Sequence, residues 1–302
     1  MDTWDAEVAD CLVFKPTGSH SWIQETFQYP PRYLYRVATP RSEGQTTQSW
    51  AKSKDATNSR ASSQKDLFSR SGKQMANMLD RHLGRKESKF DNFVSWTSSL
   101  LYAIQYIFSR HHEERTPLDK IMLYIVDTTK FPAGVFIRDM DLLAVYSPFN
   151  AGLQKLQCAR SPVLKDAPPS SLPEFLRASY FGEYLSQGAL RIEGRCSAVS
   201  AQDILDAGLL DLRVEFKASR RFNLGLDERV KHLRKAFAQC DDLPRDIERE
   251  IRVAVAIGNL FGPDWSVSVA ASLMALRPCR GEDLLVICRE LLQYFPSKCV
   301  VH

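Results

Sequence analysis

The sequence predicts an α+β fold, in which a strand-rich part with flanking helices is followed by a small C-terminal helical bundle. Runs of β-branched and aromatic residues recur up to about residue 215, and after about residue 222 they give way to amphipathic helical patterns. With 302 residues, 44% of them hydrophobic, the chain can form one large domain or two ordinary ones. We predict a weakly ordered leader over 1–29, a main domain over 30–221 and the bundle over 222–302.

The main domain begins with PPRYLYRVATP (30–40), where aromatic and β-branched residues between prolines predict a short strand. Residues 41–73 are rich in Ser, Thr, Gln, Asn and Lys and have few apolar anchors, which predicts a long mobile loop. GKQMANMLDRHLG (72–84) has Met75, Met78, Leu79 and His82 at helical spacing and ends in a glycine, which predicts a helix.

The stretch FVSWTSSLLYAIQYIF (93–108) reads as a strand that runs through a group of hydroxyls into a helix. IMLYIVDTT (121–129) predicts a buried strand, and FPAGVFIRD (131–139) predicts another. MDLLAVYSPFN (140–150) predicts a short helix or turn that leads into a strand.

Residues 157–174 are rich in Pro and Ser and read as an insertion. FGEYLSQGALRIEG (181–194) alternates as a strand, with Glu183 and Gln187 on one face and Tyr184 on the other. Four amphipathic helices are predicted in the C-terminal part, over residues 226–240, 244–261, 264–277 and 282–295.

Composition and charge exclude several classes of function. A net charge of +4 is too small to indicate a nucleic-acid-binding surface or a polybasic membrane patch. No window of about 18 apolar residues predicts a transmembrane helix, and the acidic start MDTWDAEVADCLVF does not read as a secretory signal. The seven cysteines form no CxxC pair and have no histidine at zinc spacing, so we expect reduced thiols, no bound metal and a cytoplasmic location.

Three polar features lie in the strand-rich part, in the order Arg36, the hydroxyls of VSWTSS, and Glu183. Each has a structural explanation. The arginine could pair with a surface carboxylate, the hydroxyls could cap the helix that starts near Ser99, and the glutamate could be an exposed strand residue.

Together, these features resemble the mono-ADP-ribosyltransferase family, in particular the cholera-toxin and heat-labile-enterotoxin A-subunit branch and its fungal relatives. That family carries an arginine on its first strand, a Ser-Thr-Ser motif entering a helix, and a catalytic glutamate on a later strand. LYRV resembles the first motif at Arg36. VSWTSSLLYA resembles the second, with Ser95, Trp96 and Thr97 in the three motif positions. MLYIVDTT and the Tyr-Ser-Pro of LLAVYSPFN resemble later core segments, so the likeness covers roughly residues 30–215 and implies the split β-sheet core of that fold.

The sequence departs from the toxin branch at the catalytic strand. An E-x-E pair is expected soon after Tyr-Ser-Pro, but AGLQKLQ stands there. We therefore assign the catalytic role to Glu183, with Glu193 and Glu174 as reserve candidates. The residue two before Glu183 is Phe181, whereas the family has an acid or amide that engages the accepting side chain, so modification of arginine is not expected to carry over.

The resemblance implies that NAD is a substrate and that ADP-ribose passes to a macromolecule, most naturally a protein, or to water. Glu183 would stabilise the oxocarbenium that forms on the ribose, and Arg36 would bind the phosphates. Ser95 would orient the carboxylate with support from Thr97, and Tyr184 would stack on nicotinamide. GxGxxG and P-loop motifs are missing, which fits NAD as a substrate rather than a recycled hydride carrier.

Two other functions stay open at the level of sequence. The missing E-x-E pair is compatible with a catalytically degenerate transferase fold that acts as an interaction module, with the helical bundle as its docking part. The basic residues of 52–73 would fit a transferase that acts on nucleic acid. A nucleophilic serine would also be compatible with the residue types, although no GxSxG motif is present.

Overall fold

A computed structural model describes residues 10–160, 181–213, 215–218, 224–239, 246–276 and 281–295. Nine strands are found there: β1 Tyr33–Ala38, β2 Gln45–Thr46, β3 Trp50–Lys52, β4 Phe93–Thr97, β5 Met122–Asp127, β6 Ile137–Arg138, β7 Glu183–Gln187, β8 Ala189–Arg191 and β9 Cys196–Ser200. Six of them form a sheet in the order β6-β7-β4-β1-β5-β9, and β2, β3 and β8 form a second sheet.

Nine α-helices lie before residue 219 in the described part of the chain. They are α1 Ile23–Thr26, α2 Lys54–Thr57, α3 Gly72–Leu83, α4 Leu100–Glu114, α5 Asp139–Tyr146, α6 Ala151–Arg160, α7 Ala201–Asp206, α8 Leu209–Leu212 and α9 Glu215–Ala218. The C-terminal helices are α10 Leu226–Gln239, α11 Ile247–Leu260, α12 Ser266–Met274 and α13 Gly281–Tyr294. The predicted α+β class with a C-terminal helical region is therefore confirmed.

The chain divides into two compact units that are interleaved in sequence. The first unit comprises Met1–Leu34, Arg41–Ser98 and Val126–Cys196, and the second comprises Tyr35–Pro40, Ser99–Ile125 and Ser197–His302. The core of the first unit joins residues that are far apart in the chain. Its fully buried members include Ile23, Met75, Leu79, Leu142 and Leu185.

In the second unit, α11 packs against α12, and α10 packs against α4. Apolar side chains from α4, α8, α11 and α12 meet there, among them Leu100, Leu209, Ile257 and Leu273. The four helices predicted for this part of the chain are confirmed. None of the helices in the described part of the chain has the length and apolar character that crossing a membrane would need.

The segment 41–73 differs from the long loop that its composition predicts. It contains β2, β3 and α2, followed by two 3-10 turns at Ala61–Gln64 and Leu67–Ser69. Buried polar side chains anchor it, because Ser53 caps α2 and Asp55 bonds to Arg60 and Ser62. The low apolar content of the segment does not reveal hydrogen bonds of this kind.

Three predicted strands also differ, the first of them FPAGVFIRD (131–139), of which only Ile137–Arg138 is a strand. Residues after Tyr146 continue as a 3-10 turn and then as α6, because the side chain of Asn150 accepts hydrogen bonds from the backbone of Gly152 and Leu153 and so begins a helix. The predicted strand 181–194 is two strands in two different sheets, which separate at Gly188. Gly188 has a φ of +67°, a conformation that an extended strand does not contain.

Candidate functional site

Strands β4 and β7 bring three of the predicted site residues together in the first unit. They pair antiparallel, with Ser95 opposite Leu185 and Thr97 opposite Glu183. Side chains of directly paired residues lie on the same face of a sheet, and alternate residues along a strand share a face. Ser95, Thr97 and Glu183 therefore share one face.

Ser95 contacts Glu183 directly. Its Oγ donates a hydrogen bond to Glu183 Oε1 at 2.9 Å, although the two residues are 88 positions apart in sequence. The Glu183 side chain keeps 25% of its surface exposed, so the carboxylate is reachable from solvent. The structure thus joins the hydroxyl and the carboxylate that the sequence placed in one site.

The backbone before Glu183 is fixed by the end of β4. Thr97 Oγ1 donates to the carbonyl of Phe181 at 2.6 Å, and the backbone N–H of Ser98 donates to the carbonyl of Gly182 at 2.8 Å. Gly182 is buried and has a φ of +64°, and a Cβ there would lie 1.9 Å from the Ser98 hydroxyl. Thr97 therefore fixes the backbone at the start of the strand that carries Glu183, and a Cβ at position 182 would be strained by the positive φ and would displace the Ser98 hydroxyl.

A histidine on α3 extends the contacts of Ser95. His82 Nε2 lies 2.8 Å from Ser95 Oγ, and its Nδ1 lies 2.7 Å from Asp91 Oδ2. The ring also lies against Phe93, with the ring centroids 5.2 Å apart. A carboxylate on one ring nitrogen and a hydroxyl on the other fix the orientation of the imidazole.

Asp91 is held by several donors. Its Oδ1 accepts from the backbone N–H of Phe93 at 2.9 Å, and its own backbone N–H and carbonyl both bond to Asp55. Burial alone would raise the pKa of Asp91, but the charge of His82 and hydrogen bonds from His82 and Phe93 bring that pKa below its ordinary value. Asp91 is therefore a well-supported anion behind the histidine.

The contacts from Asp91 to Glu183 fix the number of protons in the array. Three hydrogen bonds link Asp91, His82, Ser95 and Glu183 in a row. A neutral imidazole and one hydroxyl supply only two protons for them. All three contacts are satisfied when His82 is an imidazolium, because the ring then donates to Asp91 and Ser95 while the serine hydroxyl donates to Glu183.

Arg160, the last residue of α6, occupies the other oxygen of Glu183. Its Nη1 lies 2.9 Å from Glu183 Oε2, and the same nitrogen donates to Oδ2 of Asp139. Asp139, the first residue of α5, is completely buried. Burial and the neighbouring Glu183 raise the pKa of Asp139 to about 7, although Arg160 acts in the opposite direction. Burial also disfavours the charge of Arg160, but the two carboxylates raise its pKa above the ordinary value.

The order Asp91, His82, Ser95 is also that of an orienting acid, a base and a nucleophile in serine hydrolases. Here, however, the Ser95 hydroxyl bonds to a carboxylate at 2.9 Å. A negative charge at that distance would oppose the oxyanion that acyl transfer builds beside the nucleophile. The array is therefore better suited to holding a carboxylate in position than to attacking a carbonyl.

The structure also describes Tyr184, Glu193 and Arg36. Tyr184 follows Glu183 directly and lies on the opposite face of β7, opposite Trp96 in β4. Glu193 forms an ion pair with Arg191 at 2.7 Å in an exposed turn. Arg36 is half buried on β1 and belongs to the second unit. Glu174 lies outside the described residues.

Sequence reasoning missed four residues of this cluster: His82, Asp91, Asp139 and Arg160. The helical spacing places His82 with the apolar positions of its helix. The signal that could have revealed it is a polar imidazole at an apolar position of the helix 72–84, a few residues before the hydroxyls of VSWTSS. Among the described residues, no group of three or more His, Cys, Asp or Glu side chains could hold a metal ion.

Comparison with known proteins gives one match. Residues 29–155 match the family model of a domain of unknown function, DUF7587. The matched segment includes His82, Asp91, Ser95 and Asp139, and it ends before Arg160 and Glu183. No curated protein and no solved structure matches the chain.

Proposed function

We propose that this protein is a mono-ADP-ribosyltransferase that cleaves NAD and transfers ADP-ribose to a macromolecule, most naturally a protein, or to water. In the proposed reaction the bond between nicotinamide and ribose C1′ breaks, and its electron pair leaves with nicotinamide. The ribose becomes an oxocarbenium ion. An oxygen or nitrogen lone pair of the acceptor then forms the new bond to C1′, and the proton that the acceptor loses passes to solvent. NAD is consumed as a substrate, and the proposed core is the split sheet of the transferase fold.

The observation that carries this proposal is the contact between Ser95 and Glu183. The sequence assigned an orienting role to the serine and an electrostatic role to the glutamate from two separate motifs. A carboxylate that hydrogen bonds hold in position and that is partly exposed is suited to stabilise a cation that forms beside it. His82 and Asp91 support the same assignment, because they fix the hydroxyl that fixes the carboxylate.

The proton count specifies the form that this reaction needs. Glu183 must be ionised to stabilise an oxocarbenium, so the third proton of the array belongs on His82 in the reactive form. The Asp91 carboxylate beside that ring favours the imidazolium. Binding of the NAD phosphates by Arg36 and stacking of Tyr184 on nicotinamide stay predictions from the sequence.

The test is release of nicotinamide from NAD by the purified protein, followed by chromatography, together with transfer of labelled ADP-ribose to proteins of a lysate. Replacing Glu183 with Gln removes the charge but keeps the shape, and we expect a loss of at least about a hundredfold in kcat. Ser95→Ala should cost roughly ten- to a hundredfold, because the carboxylate loses one of its anchors.

Glu193→Gln is the matched control, since it makes the same chemical change in the same unit at an exposed ion pair. It should leave the rate of nicotinamide release unchanged. A wild-type protein that releases no nicotinamide and modifies nothing would refute the proposal. Equal rates for Glu183→Gln and the wild type would refute the role of the glutamate.

One observation favours a second candidate, a degenerate transferase fold that binds NAD without cleaving it. Phe181 stands where the family has an acid or amide. Calorimetric titration with NAD separates the two proposals, because tight binding without nicotinamide release supports the interaction module.

The cysteines that the structure describes are free thiols, which suits a reducing compartment, and we propose the cytoplasm as the location.

A further inference from the structure

The guanidinium of Arg160 links three separate elements of the first unit. Arg160 ends α6, Asp139 begins α5, and Glu183 begins β7. One nitrogen, Nη1, donates to both carboxylates, so its two hydrogens are divided between Asp139 Oδ2 and Glu183 Oε2. The helix dipoles favour both helical positions, because Arg160 is a cation at the C-terminus of α6 and Asp139 is an acid at the N-terminus of α5.

Burial makes this ion pair more important than a surface one. The side chain of Arg160 is 19% exposed and that of Asp139 is not exposed at all. Oδ1 of Asp139 is buried and has no hydrogen-bond partner in the described structure. Asp139 also lies close enough to the partly exposed Glu183 for the two carboxylates to repel each other, and Arg160 is the cation that bonds to both.

We infer that Arg160, supported by Asp139, is a positioning residue that holds the Glu183 carboxylate for the proposed reaction, on which this inference rests. Ser95 fixes Oε1 and Arg160 fixes Oε2. With both oxygens fixed by donors from different elements, the carboxylate has one orientation. With Ser95 alone, the side chain can rotate about the bond that bears the carboxylate.

A purely structural role would not need the branch to Glu183. A salt bridge from Arg160 to Asp139 alone already ties the end of α6 to the start of α5. The second hydrogen of the same nitrogen is instead directed to the carboxylate at the start of β7. Arg160 therefore holds the Glu183 carboxylate at a position that is set by the packing of α5 and α6.

The test compares kcat and KM for NAD in Arg160→Met, Arg160→Lys and the wild type. Methionine keeps the apolar stem and removes the charge, and we expect kcat to fall roughly ten- to a hundredfold with little change in KM. Lysine supplies a point charge without the planar fork and should restore part of kcat. Arg195→Gln breaks an ion pair with Asp10 elsewhere in the unit and should match the wild type.

Arg160→Met leaves the buried Asp139 without its cation and so risks misfolding. The double variant Arg160→Met/Asp139→Asn removes both charges, keeps the shape, and should show the same loss of kcat. An unchanged or increased kcat in the folded double variant would overturn the inference.

The outcome for the wild type separates this inference from the proposed function. If the wild type releases no nicotinamide, the proposed function fails, and crystal structures of the wild type and the double variant then decide about positioning. The inference expects the Ser95–Glu183 contact to be lost or to have two conformers in the variant. An intact contact in a single conformer would overturn it.

Discussion

Asp139 makes the stability of this protein depend on pH in a way that one substitution can remove. The carboxyl is completely buried at the start of α5, and burial raises its pKa from the ordinary 3.8 to about 7. In the unfolded chain the same group ionises at its ordinary pKa. The folded protein therefore binds this proton more tightly than the unfolded chain does.

The sign and the size of the effect follow from this difference. Below about pH 4 the group is protonated in both states, and its contribution to stability is fully present. As the pH rises through 7 the unfolded chain is ionised while the folded protein resists ionisation, and the contribution is lost. The shift corresponds to at most about 4 kcal/mol of unfolding free energy, and the nearby Arg160 is already included in that shift.

Asp139→Asn keeps an oxygen that Arg160 can bond to and removes the titration. Urea unfolding followed by tryptophan fluorescence, at pH values from 4 to 8, should show that the wild type loses stability relative to the variant as the pH rises. Asp91 is unchanged in the variant, so its own lowered pKa affects both proteins equally. Parallel stability curves for the two proteins, or a difference of the opposite sign, would refute the reasoning.

Two further substitutions test the support of the cluster. His82→Gln should lower the rate of nicotinamide release by roughly tenfold or more, because the Ser95 hydroxyl loses its fixed partner. His111→Gln, at a histidine of the second unit, should leave that rate unchanged. Equal rates in the two variants would contradict the role assigned to His82. Gly182→Ala adds a Cβ 1.9 Å from the Ser98 hydroxyl, whereas Gly194→Ala has a similar positive φ and meets nothing within 4 Å. Thermal unfolding should therefore show that Gly182→Ala loses more free energy of unfolding than Gly194→Ala, by about 1 kcal/mol or more. Equal losses would mean that the positive φ, and not the contact with Ser98, causes the destabilisation.

The fold could be predicted wherever the pattern is local. The helix 72–84 and the four C-terminal helices show apolar spacing over several turns, and the structure confirms them. The strand through Ser95 was predicted from its aromatic and β-branched residues. Where one polar side chain decides the conformation, as Asn150 does at the start of α6, the average over a window pointed to the wrong element.

The candidate site was predictable only in part, for the same physical reason. Ser95 and Glu183 belong to strands, in which successive side chains point to opposite faces of the sheet. Assigning a residue to one face limits the residues that it can contact. His82, Asp139 and Arg160 lie on helices, and their roles depend on which strand each helix packs against. Long-range contacts of this kind, such as the one between Arg160 and Glu183, leave no periodic signal in the sequence.

The departure at Phe181 can now be placed in this geometry. The side chain there is apolar, and the residue serves the site through its carbonyl, which accepts the Thr97 hydroxyl. The second carboxylate beside Glu183 is Asp139, which is completely buried and paired with Arg160, so it cannot approach an accepting side chain. Under the proposed function, the contacts of the described residues thus provide for stabilising the ribosyl cation but supply no second acid to activate an arginine.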